Sequence, residues 1–124
     1  MDTAATVARW LLGLVLLAGG INELLRLRQV DLGRPAGLEL LEAMKRAPVI
    51  WRFLHLVEVV AGALLLLDVA APFALVLVAP VVIGIALFHL EVSGLWYVAP
   101  LLVAPGVVLA VEYWPVYEPL FTGP

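Results

Sequence analysis

The sequence contains no cysteine. This excludes disulfides, thiol nucleophiles, thiolate metal sites and cysteine-ligated iron–sulfur clusters. Charged residues are also scarce: of the 124 residues, 14% are charged and 65% are hydrophobic. A soluble domain has about 25% charged and about 45–50% apolar residues. A chain with so little polar surface is therefore expected in contact with a lipid bilayer. Its basic residues form no extended face, so we expect no nucleic-acid partner.

Four apolar stretches are each long enough to cross a membrane, which takes about 20 mostly apolar residues. They cover about residues 4–25, 49–69, 72–90 and 95–113. The first has no clear small-residue cleavage site, so we read it as a membrane helix rather than a cleavable signal. Arg9, near its start, is expected to snorkel towards water. The predicted fold is all-α: one integral membrane domain over residues 1–124, arranged as an antiparallel four-helix bundle.

The connection between the first two spans carries most of the positive charge. Basic residues near membrane ends are retained in the cytoplasm. We therefore expect this loop to be cytoplasmic and both termini external, in a bacterial inner membrane. Six of the seven Lys and Arg residues flank or occupy this basic loop: Arg26, Arg28, Arg34, Lys45, Arg46 and Arg52.

Residues 31–35 of this loop predict a turn, and Pro35 is suited to open a short amphipathic helix. That helix would place Leu38, Leu41 and Met44 on one apolar face, against the bilayer or over the polar residues described next. An ordered loop with no function of its own is the alternative. Trp51, just after the loop, is read as an interfacial aromatic residue.

Polar side chains lie at similar depth where three spans approach the basic loop. They are Asn22 near the end of the first span, His55 and Glu58 early in the second, and His89 in the last turn of the third. Polar groups inside spans are costly, so these four are candidate ligand-binding residues. His55 and Glu58 share one helix face. Gly62, one turn further on, should admit a close neighbour there.

Each candidate also has a structural interpretation. Glu58 could be a protonated carboxyl, or form an ion pair with Arg52 or Arg26, and in either case only fix helix packing. His89 could bond a carbonyl at its helix end, and Asn22 could join two helices. Gly19 and Gly20, just before Asn22, could serve the same close packing as Gly62.

Three segments of the sequence resemble the DoxX family of small four-helix membrane proteins. They are residues 53–67 with Glu58 and Gly62, residues 77–90 with Phe88 and His89, and the Gly-Ile-Asn of residues 20–22. The resemblance implies four spans and a link to membrane redox chemistry, such as thiosulfate oxidation with quinone as acceptor, or oxidoreductase complexes for thiol or oxidative stress. Gly84 stands where the family pattern suggests asparagine, and His55 is not part of that pattern.

Three functions remain open. The first is a quinone-linked redox protein in which Glu58 and His89 bond a quinone carbonyl and relay protons. The second, less favoured, is a metal or haem site built from His55, Glu58 and His89. The third is a non-catalytic anchor or assembly subunit. The expected partners are lipid and a membrane or peripheral oxidoreductase, since the chain has no thiol of its own, and a homo-oligomer stays open.

The charge distribution predicts the orientation of the chain across the membrane. Single cysteines replacing Ala36 in the basic loop and Ala70 in the next connection should react from opposite sides of intact cells. An impermeant maleimide should label only the Ala70→Cys protein until the membrane is permeabilised. The native chain has no cysteine that would react with the maleimide. Labelling of both positions from outside would contradict the predicted topology.

Overall fold

The computed structural model describes residues 1–28 and 33–123, and all regular structure in these two ranges is helical. The turn predicted at residues 31–35 lies partly outside the described residues, because it includes Asp31 and Leu32. The elements, in chain order, are α1 (Thr3–Leu25), α2 (Pro35–Lys45), α3 (Pro48–Leu67), α4 (Ala71–Leu87), a π-helical segment (Phe88–Ser93), α5 (Val98–Glu112) and α6 (Trp114–Thr122).

Local chemistry explains where several helices begin and end. The Asp2 carboxylate accepts a hydrogen bond of 2.7 Å from the Ala5 N–H and so caps α1. Proline occupies the first turn of α2 and of α3, where its missing N–H leaves no helical hydrogen bond unmade. Thus α2 begins at Pro35, where the sequence predicts a short helix. At its other end α3 stops at Asp68, whose φ of 53° is left-handed.

Three helical stretches are long and apolar enough to span a membrane: Thr3–Leu25, Pro48–Leu67 and Ala71–Ser93. The predicted fourth span, residues 95–113, corresponds to α5, which has 15 residues. The chain then bends by 72° into α6. The described residues therefore contain three candidate spans, or four if α5 and α6 form one broken span. The antiparallel four-span bundle stays a prediction.

Glycines bring α1 and α3 into direct backbone contact. A Cβ on Gly62 of α3 would lie 2.7 Å from the Leu17 nitrogen and 2.8 Å from the Gly13 oxygen of α1. A Cβ on Gly20 would lie 3.0 Å from the His55 oxygen. Residues later in α1 contact residues earlier in α3, so the two helices are antiparallel. The close approach predicted at Gly62 and Gly20 is confirmed.

Arg9 joins the other end of the same helix pair. Its Nη1 donates to the carbonyl oxygens of Leu65 and Leu66, and its Nε lies 3.9 Å from the Asp68 carboxylate. The last carbonyls of a helix lack partners within that helix. The expectation that Arg9 snorkels to water is wrong, because these carbonyls draw it inward until only 8% of the residue is exposed.

The remaining helices complete the core around α1 and α3. α4 packs against α3, and α5 packs against both α1 and α4. Leu12, Leu65, Val78 and Leu109, one from each of these four helices, are completely buried at the centre. α6 folds back towards the start of α4, where the Tyr117 hydroxyl donates a 2.6 Å hydrogen bond to the Pro72 oxygen.

The contact between α1 and α3 predicts a sharp difference between two glycines. Gly62→Ala should destabilise the protein by about 1–3 kcal/mol, because the added methyl must push two backbones apart. Gly84→Ala is the matched control, since nothing lies within 4 Å of a Cβ there and alanine is the better helix former. Thermal unfolding in mild detergent should show a lower midpoint for Gly62→Ala only. Equal midpoints for the two variants would argue against the close contact.

Candidate functional site

A buried pair of ionisable side chains lies on α3. His55 Nδ1 is 3.2 Å from Glu58 Oε1, and the two residues are 7% and 4% exposed. Their i, i+3 spacing places both on one face of the helix, as the sequence predicts. Glu58 therefore has His55 as its ion-pair partner, and the alternative pairing with Arg52 or Arg26 is wrong.

The glycines near the end of α1 make room for this pair. A Cβ on Gly20 would lie 3.2 Å from the Glu58 Cβ, and one on Gly19 would lie 4.0 Å from Glu58 Oε2. Any larger residue at position 20 would also meet the His55 carbonyl. The α1 surface thus closes over the carboxyl group and separates it from lipid. An isolated charge in such a position would be strongly disfavoured, and His55 is the ionisable side chain beside the carboxyl group.

Trp51 closes the site on the side of the basic loop. Its ring packs edge-on against the His55 imidazole, with centroids 4.2 Å apart, and only 3% of the residue is exposed. The Lys45 ammonium lies 5.7 Å from the Trp51 ring centroid. Trp51 therefore packs within the protein, and its position at the membrane interface stays a prediction. Its spacing from His55 and Glu58, four and seven residues, is the sequence signal that places all three on one helix face.

Some polar atoms of this site are buried without a hydrogen-bond partner. They are Trp51 Nε1 and His55 Nε2, whereas His55 Nδ1 and Glu58 Oε1 face each other at 3.2 Å. Such atoms are uncommon in proteins, because leaving them unpaired costs about 1–3 kcal/mol each. Together the three side chains provide one fixed donor, one ring that can donate and accept, and one carboxyl oxygen. This set suits a small polar group that both accepts and donates hydrogen bonds.

His89 lies in the π-helical segment, and its partner is local. Its Nδ1 is 2.8 Å from Ser93 Oγ, which also accepts from the Leu95 N–H at 3.2 Å. Within the described residues, no hydrogen bond or ion pair links His89 to Glu58. π-Helical turns are rare and occur frequently at functional sites. The sequence gives no comparable signal for Ser93, whose burial follows from this turn.

Asn22, the fourth candidate, also has its own partner. Its Nδ2 donates a 2.9 Å hydrogen bond to the Arg28 oxygen, just beyond the end of α1. The structure thus brings His55, Glu58 and the unpredicted Trp51 together. It gives His89 and Asn22 separate hydrogen-bond partners.

α2 connects the π-helical segment to the start of α3. The Arg34 N–H donates a 2.9 Å hydrogen bond to the Ser93 oxygen, and a Cβ on Gly94 would lie 2.9 Å from the Arg34 side chain. At its other end, Lys45 reaches Trp51. Leu38 is exposed, and Leu41 and Met44 are partly buried. That these three face the bilayer or cover the site stays a prediction.

In the structure, His55, Glu58 and His89 do not come together as ligands of one metal ion. Among residues 1–28 and 33–123, no three side chains of the histidine, aspartate and glutamate types lie close enough to hold one ion. The two buried members that do meet, His55 and Glu58, leave the remaining coordination positions of a metal without protein ligands.

Comparison with known proteins gives one match. The family model described as DoxX matches residues 4–90. This stretch holds α1 from its second residue, α2 to α4, the first three of the six residues of the π-helical segment, and all four predicted site residues. No curated protein and no solved structure matches the chain.

Proposed function

The chain belongs to the DoxX family, and we propose that it is a quinone-linked or redox-complex component of the membrane whose polar site is centred on His55 and Glu58. The proposal includes a four-span antiparallel bundle in a bacterial inner membrane, with the basic loop in the cytoplasm. Asn22 and His89, at the same end of their helices, belong to the margin of the proposed site.

The observation that carries this proposal is the group of unpartnered polar atoms on Trp51 and His55. A quinone head group has two carbonyl oxygens, each of which accepts hydrogen bonds. Trp51 Nε1 and a protonated ring nitrogen of His55 are donors of the required kind. The types of hydrogen-bonding atom at the site therefore match those that a quinone head group needs.

The His55–Glu58 pair supplies a route for protons. At 3.2 Å, a proton held by the Glu58 carboxyl can pass to His55 Nδ1, and His55 can release one from Nε2. A neutral imidazole has one donor and one acceptor nitrogen, so His55 can receive a proton at one nitrogen and release one from the other. When bound, a quinone supplies the two-electron redox chemistry. The chain itself contributes donors, acceptors and protons.

Electrons must come from another protein in this proposal. The chain has no cysteine and so no dithiol or cysteine-ligated iron–sulfur cluster of its own. A peripheral or membrane oxidoreductase would deliver reducing equivalents. α2, whose Lys45 lies over the Trp51 ring, offers a nearby surface for such a partner.

The test is ligand retention in protein purified in mild detergent. Lipid extracts of the wild type should contain a stoichiometric quinone by mass spectrometry. His55→Gln and Glu58→Gln should each lose at least nine-tenths of it, a change of about 1.4 kcal/mol or more. Glu118→Gln is the matched control, because this carboxylate is exposed on α6. Size-exclusion chromatography reports whether each variant remains folded.

Other outcomes would decide between the remaining functions. A Soret band in the absorption spectrum would indicate haem instead. Wild-type protein without ligand, together with unfolding of both site variants, would favour an anchor or assembly subunit whose polar residues only hold α1 against α3. Loss of quinone from His89→Gln as well would extend the site to the π-helical segment.

A further inference from the structure

We infer that the His55–Glu58 pair exchanges protons with water on the basic-loop side of the membrane only. This side is defined as the one where α1 ends and α3 begins. Proton access of this kind does not require a bound quinone, so it can hold even if the proposed function fails. It would make the site one-sided, able to take up or release protons next to the basic loop without carrying them across the membrane.

Beyond Glu58, the facing parts of α1 (residues 11–20) and α3 (residues 59–67) carry only apolar residues and glycine, up to the contact of Arg9 with the end of α3. The backbones touch at Gly62, Gly13 and Leu17. The neighbouring side chains are apolar and have exposures between 0% and 2%: Leu12, Leu16, Ala61 and Leu65. A proton leaving Glu58 in this direction would find no donor or acceptor within this contact.

The next ionisable groups in that direction, Asp68 and its neighbour Arg9, are distant from Glu58 and lie close to each other. Asp68 is ten residues beyond Glu58, or about 15 Å along the helix. Arg9 is held there by the carbonyls of Leu65 and Leu66. These groups stabilise the far end of the helix pair, and the apolar contact separates them from Glu58.

The path towards the basic loop is short. His55 is seven residues after Pro48, where α3 begins, which corresponds to about 10 Å. Trp51 lies on this path and packs on the imidazole, and the Lys45 ammonium lies over the indole ring, 5.7 Å from its centroid. A small displacement of Trp51 would therefore connect His55 Nε2 with water at the membrane surface.

Few other charges can influence the pair. On α3 itself, Glu58 faces His55. On α2, Lys45 is placed over Trp51. The last two turns of α1 carry one ionisable residue, Glu23, which is partly buried. α4 carries no ionisable residue from Ala71 to Leu87. On α3 the other charged residue near the pair is Arg52, which is exposed, so the charged groups around the pair lie towards the basic loop.

Trp51 provides the reporter, because a protonated imidazole in contact with indole quenches its fluorescence. Trp10, Trp96 and Trp114 are exposed and can be replaced by Phe to leave Trp51 alone. This protein is reconstituted in vesicles, and an impermeant maleimide on Ala36→Cys counts the fraction of molecules with the basic loop outward. A stopped-flow pH drop outside the vesicles is then applied, within about pH 8 to 4, where His and Glu titrate.

The fast quenching amplitude should equal the loop-outward fraction. The rest should appear only when an ionophore acidifies the vesicle interior. His55→Gln, in the same background, should abolish both phases. A full fast amplitude, a fast amplitude that matches the loop-inward fraction, or no quenching from either side would overturn the inference. If the triple Phe variant does not fold, ¹⁵N-histidine NMR of His89→Gln protein reports the same titration, because His55 is then the one histidine left.

Discussion

The backbone contact between α1 and α3 is the constraint on which the rest of the structure depends. Three glycines, Gly13, Gly20 and Gly62, allow the two helices to approach until backbone atoms touch. Lipid is as apolar as the helix surfaces, so such contacts and polar bonds, rather than hydrophobic burial, hold membrane helices together. Arg9 adds those bonds at one end of the pair. At the other end, the same contact encloses His55 and Glu58. The close approach of α1 and α3 therefore accounts both for the packing of this helix pair and for the burial of the polar site.

Features with a local cause were predictable from the sequence. The lengths of the apolar stretches predicted the first three spans, and proline predicted where α2 and α3 begin. The i, i+3 spacing predicted that His55 and Glu58 share a helix face. Gly62 was predictable because a small residue on the polar face of a span has little other use there. Residues 4–90, which carry these patterns, are also the part that the family model matches.

Features that depend on a distant partner were not predictable. Arg9 looks like a residue that reaches water until the carbonyls at the end of α3 are placed beside it. Helix arithmetic gave His89 the same depth as Glu58, yet depth does not determine which neighbour a side chain meets, and the π-helical turn gives it Ser93. The bend after α5 lies at Pro115, and the Tyr117 hydroxyl holds α6 in place by its hydrogen bond to the Pro72 oxygen. The length of an apolar stretch predicts neither feature.

The central claim, a histidine–carboxyl pair buried between α1 and α3, can be measured directly. Solid-state NMR of His89→Gln protein in bilayers, labelled with ¹⁵N-histidine and ¹³C-glutamate, reports dipolar coupling between His55 Nδ1 and the Glu58 carboxyl carbon. The account predicts strong coupling, consistent with a nitrogen–oxygen separation of 3.2 Å. Glu58→Gln, prepared with the same labels, should lose that signal. If the wild-type spectrum shows no coupling, the two side chains do not meet in the membrane, and the account is contradicted.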